Sequence, residues 1–280
     1  MKIRKIIIEQ LLPIFLTFLT FLALSTILYG LLLLLNSLRL SYPIVLDFRK
    51  REVLLGIVIY LKTSVDFAIF IGNLMHTNPG WKKRIAIELG TAIGNGFGTF
   101  LVLIVWSLFR EIPILMFIGI FIASVVLLKM AEESFEEFLK QKKSFIKIRM
   151  PVSLLQEQLD LINNLFRPIL RFFVPNLNLT KTKKLSFANL IVFSFTIPFI
   201  LGLDDFAGYI PVFTYVNVFG FSVGVLLGHM ILTMSLFAFP KKTVSIVKHP
   251  IILILGGLAF IGIGVFGFYE SLRILLSIIR

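Results

Sequence analysis

The sequence predicts an all-α polytopic membrane protein of seven transmembrane helices, a leading helix followed by a 3+3 inverted repeat. Three observations predict it. Of 280 residues, 58% are hydrophobic and the mean hydropathy is +0.96, above the roughly 45–50% apolar content of soluble domains. Seven apolar runs of membrane-crossing length succeed one another. The second to fourth runs also share an ordered set of residues with the fifth to seventh.

The runs are Leu11–Leu35, Val53–Met75, Ile85–Phe109, Ile114–Met130, Leu190–Phe213, Val218–Phe239 and Ile251–Leu275. At 1.5 Å per helical residue most cover a hydrocarbon core of about 30 Å. Helices are required because backbone groups in lipid must pair within the segment, and the alternating short strands of a barrel do not occur. The first run follows the basic start MKIRKIII. It is too long for a signal-peptide core of roughly 7–15 residues, so a retained helix is expected. Four blocks follow: 1-52, leading helix and connector; 53-138, first three-helix repeat; 139-185, basic cytoplasmic linker; 186-280, second repeat.

The net charge of +13 falls between the apolar runs. That pattern fits lipid headgroups and topology signals rather than nucleic acid. Seven spans put residues 1–10, 76–84, 131–189 and 240–250 on one side, with 19 Lys and Arg, and seven on the other. The bias places the N-terminus in the cytoplasm and the C-terminus outside, in a membrane expected to be the prokaryotic cytoplasmic one. With no cysteine, disulfides and thiolate metal sites are excluded.

Residues 152–173 of the linker set Leu155, Leu159, Ile162, Phe166, Ile169 and Phe173 at helical steps, with Gln156, Asp160, Asn163, Arg167 and Arg171 between them. This predicts an amphipathic helix on the cytoplasmic leaflet, a linker or a regulatory element. Its flanks Lys140, Lys142, Lys143, Lys181, Lys183 and Lys184 suit anionic headgroups.

The repeat rests on three matches. SVDFA at 64–68 parallels LDDFA at 203–207, aligning Asp66 with Asp205. Gly90, Gly94 and Gly98 parallel Gly220, Gly224 and Gly228. Pro113, Gly119, Glu133 and Ser134 parallel Pro250, Gly256, Glu270 and Ser271. Three crossings per unit force the second copy in from the opposite side, the inverted arrangement of many secondary transporters. Glycines one turn apart let neighbouring backbones approach closely; a hinge or pore wall is the alternative use.

Ionisable groups inside the spans are Lys62, Asp66, Glu88, Asp204, Asp205 and His229. A charge at the bilayer centre costs at least about 2.5–3.5 kcal/mol, so such groups usually face a cavity. Asp66 and Asp205 fall near mid-span and are the leading metal candidates, with Asp204 and Glu88 assisting. An internal ion-pair or hydrogen-bond network is the structural alternative. Lys62 stands one turn before Asp66 and pairs with it or competes with a cation. Pro198 and Gly202 suggest an irregular stretch that aims Asp204 and Asp205 together. Glu88 reads as a solvated acid at a helix start or a cytoplasmic carboxylate on the ion path. His229 and Asn95 are accessory candidates, either ligating or packed by hydrogen bonds. Carboxylates without cysteine or clustered histidine suit hard cations such as Mn²⁺ and Ca²⁺.

DFAIFIGNLM from Asp66, then Arg84, Ala86 and Gly90, LDDFAGYIP from Leu203, and FPKK…HPIILILGG over 239–257 together resemble the TerC-like branch of the LysE-type transporter superfamily. The resemblance covers about residues 55–275 without the linker. The family's asparagine after the aspartate is replaced by Phe67 and Phe206. The resemblance implies a 3+3 inverted repeat and metal-ion handling, with manganese or calcium export as leading examples.

The reading is therefore a secondary transporter exporting a divalent cation, with lipid and the cation as partners, no cofactor and no enzymatic activity. No HExxH, GxGD or Ser/Lys dyad pattern occurs. Two readings stand beside it: a LysE-like exporter of amino acids or small solutes, and a non-transporting membrane assembly that binds partners through its basic linker. Self-association is left open.

Overall fold

The computed structural model describes residues 11–38, 43–141, 146–168, 170 and 184–280, with side chains except at 66, 146, 147, 197 and 200–208. Among the described residues there is no strand. The helices are α1 (Leu12–Ser37), α2 (Lys50–Thr63), α3 (Val65–Thr77), α4 (Trp81–Phe109), α5 (Pro113–Lys140), α6 (Ile146–Leu165), α7 (Phe187–Phe213), α8 (Val218–Ala238), α9 (Pro240–Val247) and α10 (Pro250–Ile279). Five of these, α1, α4, α5, α8 and α10, are long and apolar enough to cross a membrane, and α2 with α3 forms a bent pair that passes the same test together. This is an all-α membrane protein.

The predicted span Val53–Met75 is not one helix. It breaks at Ser64, and the two arms are bent by 62°. The sequence around the break explains it. Thr63 and Val65 are β-branched and disfavour helix. The Thr63 hydroxyl donates to Tyr60 O at 3.1 Å, the carbonyl that also accepts from Ser64 N at 2.9 Å. Such side-chain back-bonding weakens a turn. The irregular stretch expected at Pro198 and Gly202 is absent: α7 runs unbroken through both. In lipid a proline removes one backbone bond without ending the helix, because neighbouring groups re-satisfy it.

The chain packs as two units, each drawing on both halves of the sequence. Unit 1 comprises Met1–Leu101, Asn176–Gly202 and Val216–Ile246. In it α2 lies on α8 and α4 lies on α7, each at backbone distance. A Cβ on Gly224 would fall 2.2 Å from Val53 O, and one on Gly56 would fall 2.2 Å from Phe221 O and 3.0 Å from Gly224 Cα. A Cβ on Gly90 would meet Ile191 O at 2.5 Å, and one on Gly94 would meet Phe195 O at 2.5 Å. Both pairs run parallel, since contacting residue numbers rise together. Helix α1 buries one stripe, Thr17, Leu28, Leu32 and Leu35. It meets α4 at Leu24–Gly96 and α8 through the rings of Tyr29 and Phe219. Its other faces, with Phe15, Leu22 and Leu34, are exposed, as a lipid-facing helix requires.

Unit 2 comprises Val102–Pro175, Leu203–Tyr215 and Val247–Arg280. Its core is α5 against α10, antiparallel: Gly267 faces Ser124, Gly264 faces Leu128 and Gly257 faces Phe135. Tyr215 donates to Glu270 Oε2 at 2.5 Å. Burial first, then the Glu270 carboxylate, pushes the phenol up to about 12, so it remains a donor at physiological pH. Helix α5 continues ten residues past the predicted end at Met130. Hydropathy falls there, but Glu, Lys and Phe sustain the helix, with Lys129–Glu132 at 3.0 Å and Lys140–Glu136 at 2.8 Å.

The amphipathic linker helix exists as α6 and packs antiparallel along this extension of α5. Val152, Leu159 and Asn163 are buried while Leu155 and Ile162 are exposed. Asn163 rotates the buried face because its amide donates to Glu132 Oε2 at 2.5 Å. Arg149 donates to Leu139 O and Gln141 O, closing the end of α5. The basic start of the chain (Lys2, Arg4, Lys5) lies outside the described residues, as do Lys142, Lys143, Lys181, Lys183, Ile169, Arg171 and Phe173.

The glycine contacts give a direct test. Gly224→Ala puts a methyl group against fixed backbone and is expected to destabilise by about 1–3 kcal/mol, the usual cost of overpacking. A Cβ on Gly262 would have nothing within 4 Å, so Gly262→Ala is expected to shift stability by less than about 1 kcal/mol. Thermal unfolding in one detergent compares the two.

Candidate functional site

The three aspartates singled out in the sequence fall on two helices. Asp66 is the second residue of α3, just past the break, and Asp204 and Asp205 lie within α7. Their side chains lie outside the described residues. Lys62 is in the last turn of α2, half-buried.

The described polar groups of unit 1 gather on α1, α2, α3, α4 and α8. His229 of α8 is buried, with Nδ1 2.8 Å from the buried Tyr60 hydroxyl of α2. Phe67, next to Asp66, lies against the imidazole at 5.7 Å between ring centroids. Gly228 makes room: a Cβ there would lie 3.0 Å from the Tyr60 ring. His229 Nε2 has no hydrogen-bond partner among the described residues. One turn beyond Tyr60 and His229 stand Ser64 and Thr233, both buried, with hydroxyl oxygens in the same condition. The break in the helix thus has beside it buried polar atoms without a hydrogen-bond partner among the described residues. Buried groups of this kind are rare unless water or an ion serves them.

Glu88 departs from the expectation. The sequence places it at a helix start, solvated or on the cytoplasmic path of the ion. The structure buries it completely, on the face of α4 toward α1. Helix α4 begins at Trp81, one turn earlier than the apolar run, so Glu88 sits about two turns in. Thr20 of α1 lies 2.8 Å from Oε1, and Oε2 has no hydrogen-bond partner among the described residues. Asn95, two turns on, is buried with its Nδ2 likewise unpaired.

Glu52 and Glu132 escape the sequence reading. Glu52 starts α2 and is buried against Gly220. Glu132 is buried between Lys129 and Asn163. Asn163 on an otherwise apolar step is the signal for Glu132. Nothing local signals Tyr60 as the partner of His229, 169 residues away. Among the described residues no three His, Asp or Glu side chains converge as metal ligands would. No family model, curated protein or solved structure matches the chain.

Removing the Tyr60 hydroxyl leaves both imidazole nitrogens buried and without a hydrogen-bond partner among the described residues. Tyr60→Phe is expected to cost about 1–3 kcal/mol. The double change with His229→Leu should cost less than the sum of the two singles, by about 1 kcal/mol or more. A double-mutant cycle of unfolding free energies measures the difference, and strict additivity would mean the pair is not coupled.

Proposed function

We propose that this chain is a secondary transporter that exports a divalent metal cation such as manganese or calcium. Asp66 of unit 1 and Asp205 of unit 2 are the candidate ligands, with Asp204 assisting. One observation carries the reading. A membrane-crossing segment breaks two residues before an intramembrane aspartate, and buried polar atoms beside the break have no hydrogen-bond partner among the described residues. Broken helices with ionisable side chains mark ion paths in membrane proteins, because irregular backbone survives at that depth only beside protein or a polar cavity.

The packing of unit 1 supports the inverted repeat. Aligning Asp66 with Asp205 sets Gly56 opposite Phe195 and Glu52 opposite Ile191. Aligning the glycine ladders sets Gly94 opposite Gly224 and Gly90 opposite Gly220. Gly56 faces Gly224 as Phe195 faces Gly94; Glu52 faces Gly220 as Ile191 faces Gly90. Partner helices therefore exchange as a two-fold relation between halves demands. Helix directions also fit seven crossings: α2 with α8 and α4 with α7 parallel, α5 with α10 antiparallel. On this reading α1 leads, α2 and α3 form one broken crossing, and α7 is the fifth. The lysine and arginine bias puts the N-terminus in the cytoplasm. The resemblance to the TerC-like branch supports a metal cargo over an amino acid.

Purified protein in liposomes holding a manganese-sensitive dye tests this. Mn²⁺ flux is expected from the native chain, and Asp66→Asn with Asp205→Asn should lower it at least about tenfold, the effect of about 1.4 kcal/mol of lost ion binding. Undiminished flux in the double variant would reject these ligands. Flux of labelled amino acids without Mn²⁺ flux would reject the cargo.

A further inference from the structure

We propose that Glu88, with Thr17 and Thr20, is a proton-binding site on which transport is driven: the proton is the coupling ion. This rests on the transporter reading and names a second site for it.

The argument is one of donors and acceptors. Thr20 Oγ1 lies 2.9 Å from Thr17 O and 2.8 Å from Glu88 Oε1. A hydroxyl has one proton to give. Thr17 O can only accept, and the Thr17 hydroxyl, 2.9 Å from Pro13 O, also faces the Glu88 carboxylate, so it too has one proton for two acceptors. With Glu88 ionised, the carboxylate competes with backbone carbonyls for the protons of both hydroxyls, and Oε2 has no hydrogen-bond partner among the described residues. A wholly buried carboxylate whose two hydroxyl donors are both shared with backbone carbonyls is a costly arrangement. With a proton on Oε1 the conflict disappears. Glu88 donates to Thr20 Oγ1, Thr20 donates to Thr17 O, and Oε2 is the carbonyl oxygen of a neutral acid.

Among the described residues no counter-charge rescues the ionised form. Helix α1 brings hydroxyls and no charged side chain among its described residues. Arg84, one turn earlier on α4, donates to Phe237 O of α8. The ring of His229, the titratable group α8 offers within the membrane, lies against Tyr60 and Phe67. From α7, Ser194 is what packs by Gly90. A metal ion is a poor alternative occupant. Two carboxylate and two hydroxyl oxygens fall short of the six to eight a hard cation takes.

The site also lies where a proton can be made to matter. It joins α4, a helix of the first repeat, to α1, which stands outside both. Helix α1 is held by a narrow stripe, so its movement off α4 would admit water to Glu88. The equilibrium is Glu88–COOH ⇌ Glu88–COO⁻ + H⁺, with the proton released to that water and no other group consumed.

Two measurements on the full chain decide it. The first is the infrared difference spectrum of lipid-embedded, metal-free protein between acid and alkaline pH. A protonated-carboxyl band is expected in the native chain, absent in Glu88→Gln, displaced in Thr20→Val, and retained in the Asp66→Asn, Asp205→Asn double variant. The second is Mn²⁺ flux driven by an imposed pH gradient. Glu88→Gln is expected to lower it at least about tenfold, within the usual range of coupling between sites. A band that survives Glu88→Gln, gradient-driven flux that survives it, or flux that follows Na⁺ rather than pH overturns the proposal. If the native chain carries no Mn²⁺ at all, the transport reading fails, and the band alone still decides whether Glu88 holds a proton. Thr20→Val keeps the acid itself and serves where Glu88→Gln does not fold.

Discussion

Lipid gives one apolar helix no hydrophobic reason to prefer another, so helix pairing depends on how closely backbones approach. That constraint runs through the whole chain. In unit 1, Gly56 and Gly224 bring α2 onto α8, and Gly90 and Gly94 bring α4 onto α7; in unit 2, Gly257, Gly264 and Gly267 seat α10 on α5. Each glycine meets a definite obstacle: a carbonyl oxygen at Gly56, Gly90, Gly94 and Gly224, a phenyl ring at Gly257, a serine hydroxyl at Gly267. The glycines are therefore contact points of defined partners rather than a general softening of the helices. The hinge and pore-wall uses of the ladder have no support in these contacts.

Close packing at α2 and α8 is also what makes the break at Ser64 tolerable. A helix interrupted in lipid exposes backbone groups that nothing outside the protein can satisfy. Here the arm before the break is clamped to α8 at Val53, Gly56 and Tyr60. The arm after it presses Phe67 against His229. The Tyr60–His229 bond ties the last full turn of α2 to the middle of α8. A polar bend beside an aspartate is thus enclosed by a contact whose geometry is set several turns away.

Much of the fold is legible in the sequence because lipid simplifies the rules. Length and hydropathy set the runs, and Pro113 and Pro250 each open a helix as first-turn prolines do. What is not legible follows from competing local terms. The break at Ser64 lies inside an apolar run, and only the β-branched Thr63 and Val65 with the Thr63 hydroxyl against Tyr60 O distinguish it. Pro198 gives the stronger local signal, and α7 overrides it. Hydropathy alone ends α5 too early, because Glu132, Glu133 and Glu136 continue a good helix. The apolar steps of α6 misplace its buried face by one position because Asn163 finds Glu132. Of the candidate site, the residues can be read from the chain but their partners cannot. Glu88 looks solvated because its neighbours along the chain are basic, whereas Thr17 and Thr20 come from a distant helix, Thr20 being 68 residues away.

Under the proposed equivalence of the halves, the buried polar groups are not repeated. Glu88 aligns with Val218, His229 with Thr99, and Tyr60 with Phe199. The glycine contacts, by comparison, recur at matching positions. A group the fold needs for packing should recur wherever the packing recurs. Glu88 and the Tyr60–His229 pair do not, and α4 settles on α7 with Phe195 and Phe199 stacked where α2 and α8 set a tyrosine against a histidine. Each polar group in lipid also adds a desolvation cost that an apolar equivalent avoids. Their confinement to single positions is what a chemical task would leave on a framework whose repeated parts already account for its stability.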